Sequence, residues 1–448
     1  MLMFTKESVL QDIQENNIEL IDLQFTDILG VTKSVTIPSE HLEDIFERGS
    51  WFDGSSIYGF ARIQESDMLL MPDPMTYRIL PWVTEAPLRA RIICDILTAE
   101  GEPFLGDPRY ALKRAVAKAE SMGFTTYNIG PELEFFLFRR NGSSSILDAV
   151  PHDVGGYFDF SPGDEAERVR SQIITILQQL KINVEMSHHE VAIGQHEIDF
   201  KYSDALHSAD NAITFKYAVK GVAAQNNLVA TFMPKPVFGE NGSGMHCHQS
   251  LFTAEGNAFY NPKDDYKLTQ TAYYFMAGLL AHARGLSAVV APTVNSYKRL
   301  TPGYEAPVYV CWAQRNRSAL IRVPRYSPGR EQSTRVELRF PDPSANPYLA
   351  FAAMLEAGLD GIANKLPISA AVSDDVFKWS REEREAQGVG VLPSTLDEAL
   401  DALSEDSVVQ GALGGHIYEV YDRAKRAEWE EYRLRVTNWE LERYLETC

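Results

Sequence analysis

Long apolar runs are missing from this chain. Its most apolar stretch, near residues 273–281, is too short to cross a bilayer. The first seventeen residues are polar and lack the apolar core of a signal peptide. Cysteine is sparse: the chain has Cys94, Cys247, Cys311 and Cys448, and no two form a CxxC pair. That spacing suggests no disulfide framework, and free thiols in a reducing compartment are expected. A soluble, cytoplasmic protein is expected, with no membrane partner. Basic charge is also in short supply, with 42 Lys and Arg against 62 Asp and Glu, a net charge of −20. Such a field opposes direct nucleic-acid binding and suits capture of cations such as metal ions or ammonium. Neither a GxGxxG nor a GxxxxGK[ST] phosphate loop is present, so any use of ATP would need another scaffold.

What is present is enough for a large core. The 448 residues are 45% hydrophobic, which predicts more than one domain. Thr5 caps a predicted helix over about 5–16. Two β-rich runs, about 18–25 and 31–37, flank the turn Thr26-Asp27-Ile28-Leu29-Gly30 and predict a hairpin. Pro38-Ser39-Glu40 opens a helix that runs to about Arg48 and stops at Gly49. With a strand over 89–96, these make a small α+β unit. Asp107-Pro108 starts a helix over 109–122, ended by Gly123. Strands and helices then mix without strict βαβ alternation, which favours α+β with a largely antiparallel sheet. From about Ser344 the chain reads as mainly helical, ending in a charged segment over 423–435.

Four stretches carry chemistry. In Gly130-Pro131-Glu132-Leu133-Glu134-Phe135-Phe136, residues two apart share a strand face, so Glu132 and Glu134 project together. Two carboxylates on an apolar strand repel and call for a cation, unless the face is simply solvated. In the run from His188 to Phe200, Glu190 and Glu197 flank a Gly194-Gln195 turn that can return them to one face. His188, His196 and His207 read there as ordinary packed or solvated residues. After the Gly-rich turn Asn241-Gly242-Ser243-Gly244, His246 and His248 share a face while Cys247 points away. Arg335, Glu337 and Arg339 share a face too, either as an ion-pair ladder or as a metal ligand between two phosphate-binding guanidiniums. Arg315, Arg317, Arg322 and Arg325 gather nearby, downstream of the Pro/Gly-dense segment 301–307 that carries Glu305. Oxygen donors predominate, so a hard cation, Mg2+ or Mn2+, suits the set better than zinc.

In order and spacing these stretches resemble type I glutamine synthetases of the alpha-like subclass over essentially the whole chain. The motifs that carry the resemblance are Phe52-Asp53-Gly54-Ser55-Ser56, Gly130-Pro131-Glu132-Leu133-Glu134, His189-Glu190 with Gly194-Gln195-His196-Glu197, and Lys235-Pro236 leading to Asn241-Gly242-Ser243-Gly244-Met245-His246. To these are added Asn295-Ser296-Tyr297-Lys298-Arg299, Gly303-Tyr304-Glu305-Ala306-Pro307 and Arg335-Val336-Glu337-Leu338-Arg339. The resemblance implies an N-terminal β-grasp domain (1–104) and a catalytic domain (105–448) with a curved antiparallel sheet. It implies ATP-dependent ligation of ammonia to L-glutamate through γ-glutamyl phosphate; the alternative is a related ligase acting on another amine, such as a polyamine.

Two Mg2+ or Mn2+ ions are implied. One is held by Glu134, Glu190 and Glu197, the other by Glu132, His246 and Glu337. Glu185, Tyr202, His248, Ser250, Arg317, Arg322 and Arg335 would meet ATP. Asn241, Gly242, Arg299, Glu305, Arg317 and Arg339 would meet glutamate. Asp53, Glu305 and Arg317 are the implied catalytic residues, with Asp53 deprotonating ammonium from a neighbouring subunit of two stacked hexameric rings. Arg62 matches the residue tied to glutamine feedback, a state whose implied partner is a transcription regulator. The stretch 373–380 has no tyrosine, so control by adenylylation is expected to be absent.

Overall fold

The computed structural model describes residues 4–55, 57, 59, 67–140, 149–160, 165–304, 306–316, 318–326, 328–372, 374 and 376–448. The N-terminal unit is built on β1 (Leu20–Thr26), β2 (Thr32–Pro38), β3 (Ser50–Asp53), β4 (Asp67–Pro72), β5 (Arg78–Ile79) and β6 (Arg89–Thr98). They form one sheet in the order β2-β1-β6-β4-β3, with β5 on β6. The expected hairpin is present, β1 against β2, and β1 lies parallel to β6. The first helix, Lys6–Glu15, starts as expected at Thr5, whose hydroxyl accepts from Ser8 N. The segment after Pro38 differs from the single predicted helix. A 3-10 turn (Ser39–His41) precedes the α-helix Leu42–Arg48, because Pro38 is extended and no side chain caps the turn.

The second unit holds a curled sheet of twelve strands. They are β7 (Thr126–Arg139), β8 (Val150–Pro151), β9 (Val184–His189), β10 (Gln195–Phe200), β11 (Ser203–Asp204), β12 (Leu228–Thr231), β13 (Met245–Thr253), β14 (Gly256–Asn257), β15 (Tyr309–Ala313), β16 (Ala319–Arg322), β17 (Val336–Leu338) and β18 (Gly390–Val391). The main order is β18-β15-β16-β17-β13-β7-β10-β9, and only β15 with β16 is parallel. The long strand β7 pairs with β13 along its first half and with β10 and β12 further on. Its apolar side, with Leu133 and Phe135 fully buried, packs on helix Ala205–Gln225, where Phe135 meets Phe215 edge-on.

Behind the sheet, helix Pro347–Asn364 crosses Gln270–Ala281 with the two backbones in contact. A methyl group added at Gly278 would lie 2.0 Å from the Ala357 carbonyl, so only glycine permits this crossing. His282, just after Gln270–Ala281, is clamped between Asp406 (2.8 Å) and Asp360 (3.2 Å). Burial disfavours its cation, but the two carboxylates outweigh burial and raise its pKa. A raised folded-state pKa contributes stability that is complete below the unfolded value and lost as pH climbs through the folded one. His282→Gln should therefore lower thermal stability by about 2 kcal/mol at pH 6 and by clearly less at pH 9. An equal loss at both pH values would refute the clamp.

Arg109 ties the two units together. It is 3% exposed and contacts Asp73 and Asp95 of the N-terminal unit, both at 2.6 Å, and Asp210 of helix Ala205–Gln225 at 3.0 Å. Three carboxylates around one buried guanidinium offset the cost of taking the charge out of water.

Candidate active site

Strand pleating and register assemble the site. On β13, Met245, Cys247 and Gln249 are fully buried, so His246 and His248 face the other way. His246 lies opposite Glu132 of β7, and His248 opposite Glu337 of β17, which in turn lies opposite Arg322 of β16. His246 Nδ1 is 3.3 Å from Glu132 and 3.8 Å from Glu337; His248 Nε2 is 2.6 Å from Glu132. Glu337 is 0% exposed and accepts from Arg339 Nη1 at 2.6 Å and from Arg322 Nε. Burial pushes Glu132 and Glu337 up, yet the imidazoles and, for Glu337, the two guanidiniums outweigh it and hold both below the usual carboxylate range. Burial and Arg339 lower His246 to about 4, which favours the neutral imidazole.

The other half of the site carries uncompensated negative charge. Glu197 of β10 lies opposite both Glu134 of β7 and His188 of β9. His188 is 3.4 Å from Glu190 and 3.9 Å from Glu197. Burial and Glu190 push Glu134 up to about 8; burial and Glu134 push Glu197 higher still; burial raises Asp199 to about 6. Protons or a cation relieve this crowding. The turn between Glu190 and Glu197 is braced from behind. Asp153 accepts from Gly194 N at 2.7 Å and meets His189 at 3.1 Å and His152 at 2.9 Å. His152 contacts His196, to which Arg170 donates at 2.9 Å.

Two adjoining clefts, each of about 350 Å³, open over this sheet and share Glu132, Met186 and Asp199 as a wall. The first is lined by Glu185, Tyr202, His248, Ser250 and Arg335, five of the residues expected to meet ATP. Arg335 Nε donates to His248 Nδ1 at 3.1 Å. The second is lined by Glu132, Glu134, Glu190, Glu197, His246 and Glu337, together with Asn241, Gly242, Arg299 and Arg339. Gly242 has no room for a side chain, since a methyl there would meet the Pro234 carbonyl at 2.3 Å.

Some placements differ from expectation. Arg322, expected with ATP, lines the second cleft because its register partner is Glu337. Arg299 lines the second cleft, but its terminal nitrogens donate to the carbonyls of Arg339, Phe340 and Pro341, bracing the end of β17. Arg335, Glu337 and Arg339 do not share one long strand. β17 covers only Val336–Leu338, so the flanking arginines turn into different clefts. Asp53 is exposed at the end of β3, accepts from Ser55 N at 2.8 Å, and lines neither cleft of this chain. Glu305, Arg317 and Arg62 lie outside the described residues.

The donor set suits hard divalent cations. Among the described residues, Glu132, His246 and Glu337 can bring ligand atoms within 4.8 Å of one another, as can His188, Glu190 and Glu197. These are carboxylate oxygens with imidazole nitrogen, in a buried patch where carboxylates repel. Glu134 borders the same cleft, and its Oε2 accepts from Gln195 Nε2 at 2.8 Å and Gly244 N at 3.0 Å.

Sequence reasoning passed over His188 and Asp199. Asp199 stands two residues after Glu197 on one strand, an i, i+2 signal of the kind used for Glu132 and Glu134. His188 becomes visible only through its pairing with Glu197, which is a matter of register.

Comparison with known proteins bears on both units. Residues 17–99 match the family model "Glutamine synthetase, beta-Grasp domain", and residues 105–444 match "Glutamine synthetase, catalytic domain". The chain is 51% identical over 442 residues to the glutamine synthetase of Staphylococcus epidermidis, covering 99% of this chain and 98% of that protein. The glutamine synthetase of Staphylococcus aureus gives the same identity and coverage. Among solved structures, a GmaS–ADP complex superposes with a TM-score of 0.87 at 35% identity, covering 98% of this chain and 99% of that one. Plasmodium falciparum glutamine synthetase superposes with a TM-score of 0.87 at 28% identity, covering 99% of each chain.

Proposed function

The chain belongs to the glutamine synthetase family, and from that premise we propose how its two clefts join ammonia to glutamate. ATP occupies the first cleft against Glu185, Tyr202, His248, Ser250 and Arg335. Glutamate occupies the second, held by Asn241, Gly242, Arg299 and Arg339, with Arg299 Nη2 also donating to the Arg339 carbonyl. The side-chain carboxylate of glutamate attacks the terminal phosphate of ATP across the shared wall, giving γ-glutamyl phosphate and ADP. Ammonia then displaces phosphate. Arg322, Arg335 and Arg317 hold phosphoryl oxygens as charge develops on them. The observation that carries this reading is the single wall, Glu132 with Asp199, common to a nucleotide-sized cleft and an arginine- and carboxylate-lined one.

Two Mg2+ or Mn2+ ions per site fit the donors, one at Glu132, His246 and Glu337, the other at Glu190 and Glu197 with Glu134 or His188. When bound they neutralise phosphate charge and orient the carboxylate. Tyr304 and Ala306 line the second cleft and flank Glu305, which closes over the intermediate and excludes water.

Asp53, exposed and outside the clefts of its own chain, deprotonates ammonium in a neighbouring subunit's site. That reading requires an assembly, two stacked hexameric rings, in which a transcription regulator can meet the feedback-inhibited state. A particle of monomer or dimer mass that retained full activity in sedimentation and assay would remove it. The free cysteines suit a cytoplasmic setting, and no helix among the described residues is long and apolar enough to cross a membrane. The matched family ranges fall on either side of a division at residues 104 and 105, which supports units of 1–104 and 105–448.

Phosphate release from ATP should require glutamate and be stimulated by ammonium in step with glutamine formation. Methylamine and polyamines at equal concentration should be at least about tenfold poorer, since a site built to hold small polar groups discriminates strongly. Preference for a polyamine would reassign the chain to a related amine ligase.

A further inference from the structure

Glu190 and Glu197 leave the two ends of a tight turn at the border of the sheet. Among the described strands, β9 is the outermost on its side and pairs only with β10. It ends at His189, so no strand lies beyond it to hold Glu190 in place. Glu190 N donates to the Gln195 carbonyl at 2.8 Å, which closes the turn on itself. The carboxylates that the turn carries repel each other and Glu134. Its position therefore needs an anchor from outside the cleft.

Asp153 supplies one. It follows β8, whose pairing with Phe138 and Arg139 of β7 fixes its place on the sheet. Its Oδ1 accepts from Gly194 N, at the tip of the turn, at 2.7 Å. Its Oδ2 is 3.1 Å from His189 Nε2, and His189 Nδ1 is 2.6 Å from the Glu190 carbonyl. That carbonyl only accepts, so Nδ1 donates to it. One carboxylate thus reaches the Glu197 end of the turn directly and the Glu190 backbone through a single imidazole. Gly194 has φ +69°, and a methyl there would lie 3.0 Å from the Leu137 carbonyl, so the turn sits hard against β7. Asp153 lines neither cleft, so it acts through the turn.

His152 and His196 come close enough to Asp153 for the three to resemble a cation site. Arg170 argues against that. A guanidinium can only donate, and Arg170 donates to His196 Nδ1 at 2.9 Å. The proton of the neutral ring then sits on Nε2, the atom that faces His152. No lone pair is left there for a metal, and the cluster is a brace.

We propose that Asp153 is a positioning residue that fixes the spacing of Glu190 and Glu197 and so sets the cation affinity of their site alone. The site at Glu132, His246 and Glu337 lies on β13, β7 and β17, away from the turn. The inference rests on the two-cation reading.

The test is a calorimetric titration of the full-length protein with Mn2+. Glu197→Gln, which removes a ligand from one site, assigns the two binding steps. In Asp153→Ala the step assigned to Glu190 and Glu197 should weaken about 10- to 100-fold, the range for losing a group that orients a metal ligand. The other step should stay within about threefold, as expected of an independent site. Asp153→Asn, whose amide oxygen can still accept from Gly194, should lose less. In an assay of glutamine formation, the Mg2+ concentration for half-maximal rate should rise by the same factor, with kcat at saturating Mg2+ within about twofold. On the Glu197→Gln background, Asp153→Ala should change Mn2+ binding no further. Unchanged Mn2+ affinity in Asp153→Ala, or equal weakening of both steps, would overturn the proposal. An unmodified protein that binds no Mn2+ would instead overturn the two-cation reading beneath it. If Asp153→Ala does not fold, Asp153→Asn decides by the same titration.

Discussion

Glu337→Gln should reduce glutamine formation by about a thousandfold or more, judged from the loss of a charge-stabilising group in a water-excluded site. The substitution keeps the shape of the side chain, so no cavity accounts for the effect. What disappears is the negative charge between Arg339, Arg322 and His246. Without it, two guanidiniums lose their buried counter-ion and the group formed with Glu132 and His246 loses an oxygen ligand. The loss should fall mainly on kcat, since the arginines that position phosphate are disturbed along with the cation. More than a tenth of the activity surviving would show that Glu337 is a structural anchor for its arginines. Should the variant fold poorly, Glu132→Gln makes the same test at a side chain that is 27% exposed.

Glu197→Gln should make the metal-stripped protein more stable while abolishing much of its response to divalent cations. The expectation runs against the usual direction for a buried substitution. Glu197 is crowded by Glu134, Asp199 and Glu132 in a buried patch, and only a cation or bound protons relieve the repulsion. A neutral amide sits in that crowd without first having to take up a proton or a cation. In chelator at pH 8 the variant should melt a few degrees above the unmodified protein, the effect of about 1–3 kcal/mol in a large chain. With Mn2+ or Mg2+ present at about a hundred times its dissociation constant, the unmodified protein should gain about 3 kcal/mol per site, and the order should reverse. A variant less stable than the parent in chelator, or one with the full metal response, would show that Glu197 is not part of a carboxylate cluster held together by a cation.

Legibility in the sequence followed the range of each interaction. The pairs Glu132 with Glu134 and His246 with His248 were readable because pleating acts between residues two apart. Caps at Thr5 and Asp107 were readable for the same reason, since a cap reaches three residues at most. The family motifs extended this reading to residues scattered over the chain. The placement of His188 opposite Glu197, and of Arg322 opposite Glu337 in the second cleft, was not readable because it depends on strand register. The three carbonyls that Arg299 braces at the edge of the second cleft are brought to it only by the folded chain.

By itself the sequence determined which faces of the strands carry acid, imidazole and guanidinium, and that the donors are hard ones. Period-two alternation and residue chemistry are local properties, so no fold is needed to state them. The tertiary structure alone decided which of those faces stand side by side, and that one half of the site is charge-balanced while the other crowds carboxylates together. It also left Asp53 outside the clefts of its own chain. Strand register and burial create these relations, and both arise from contacts between residues tens to hundreds of positions apart.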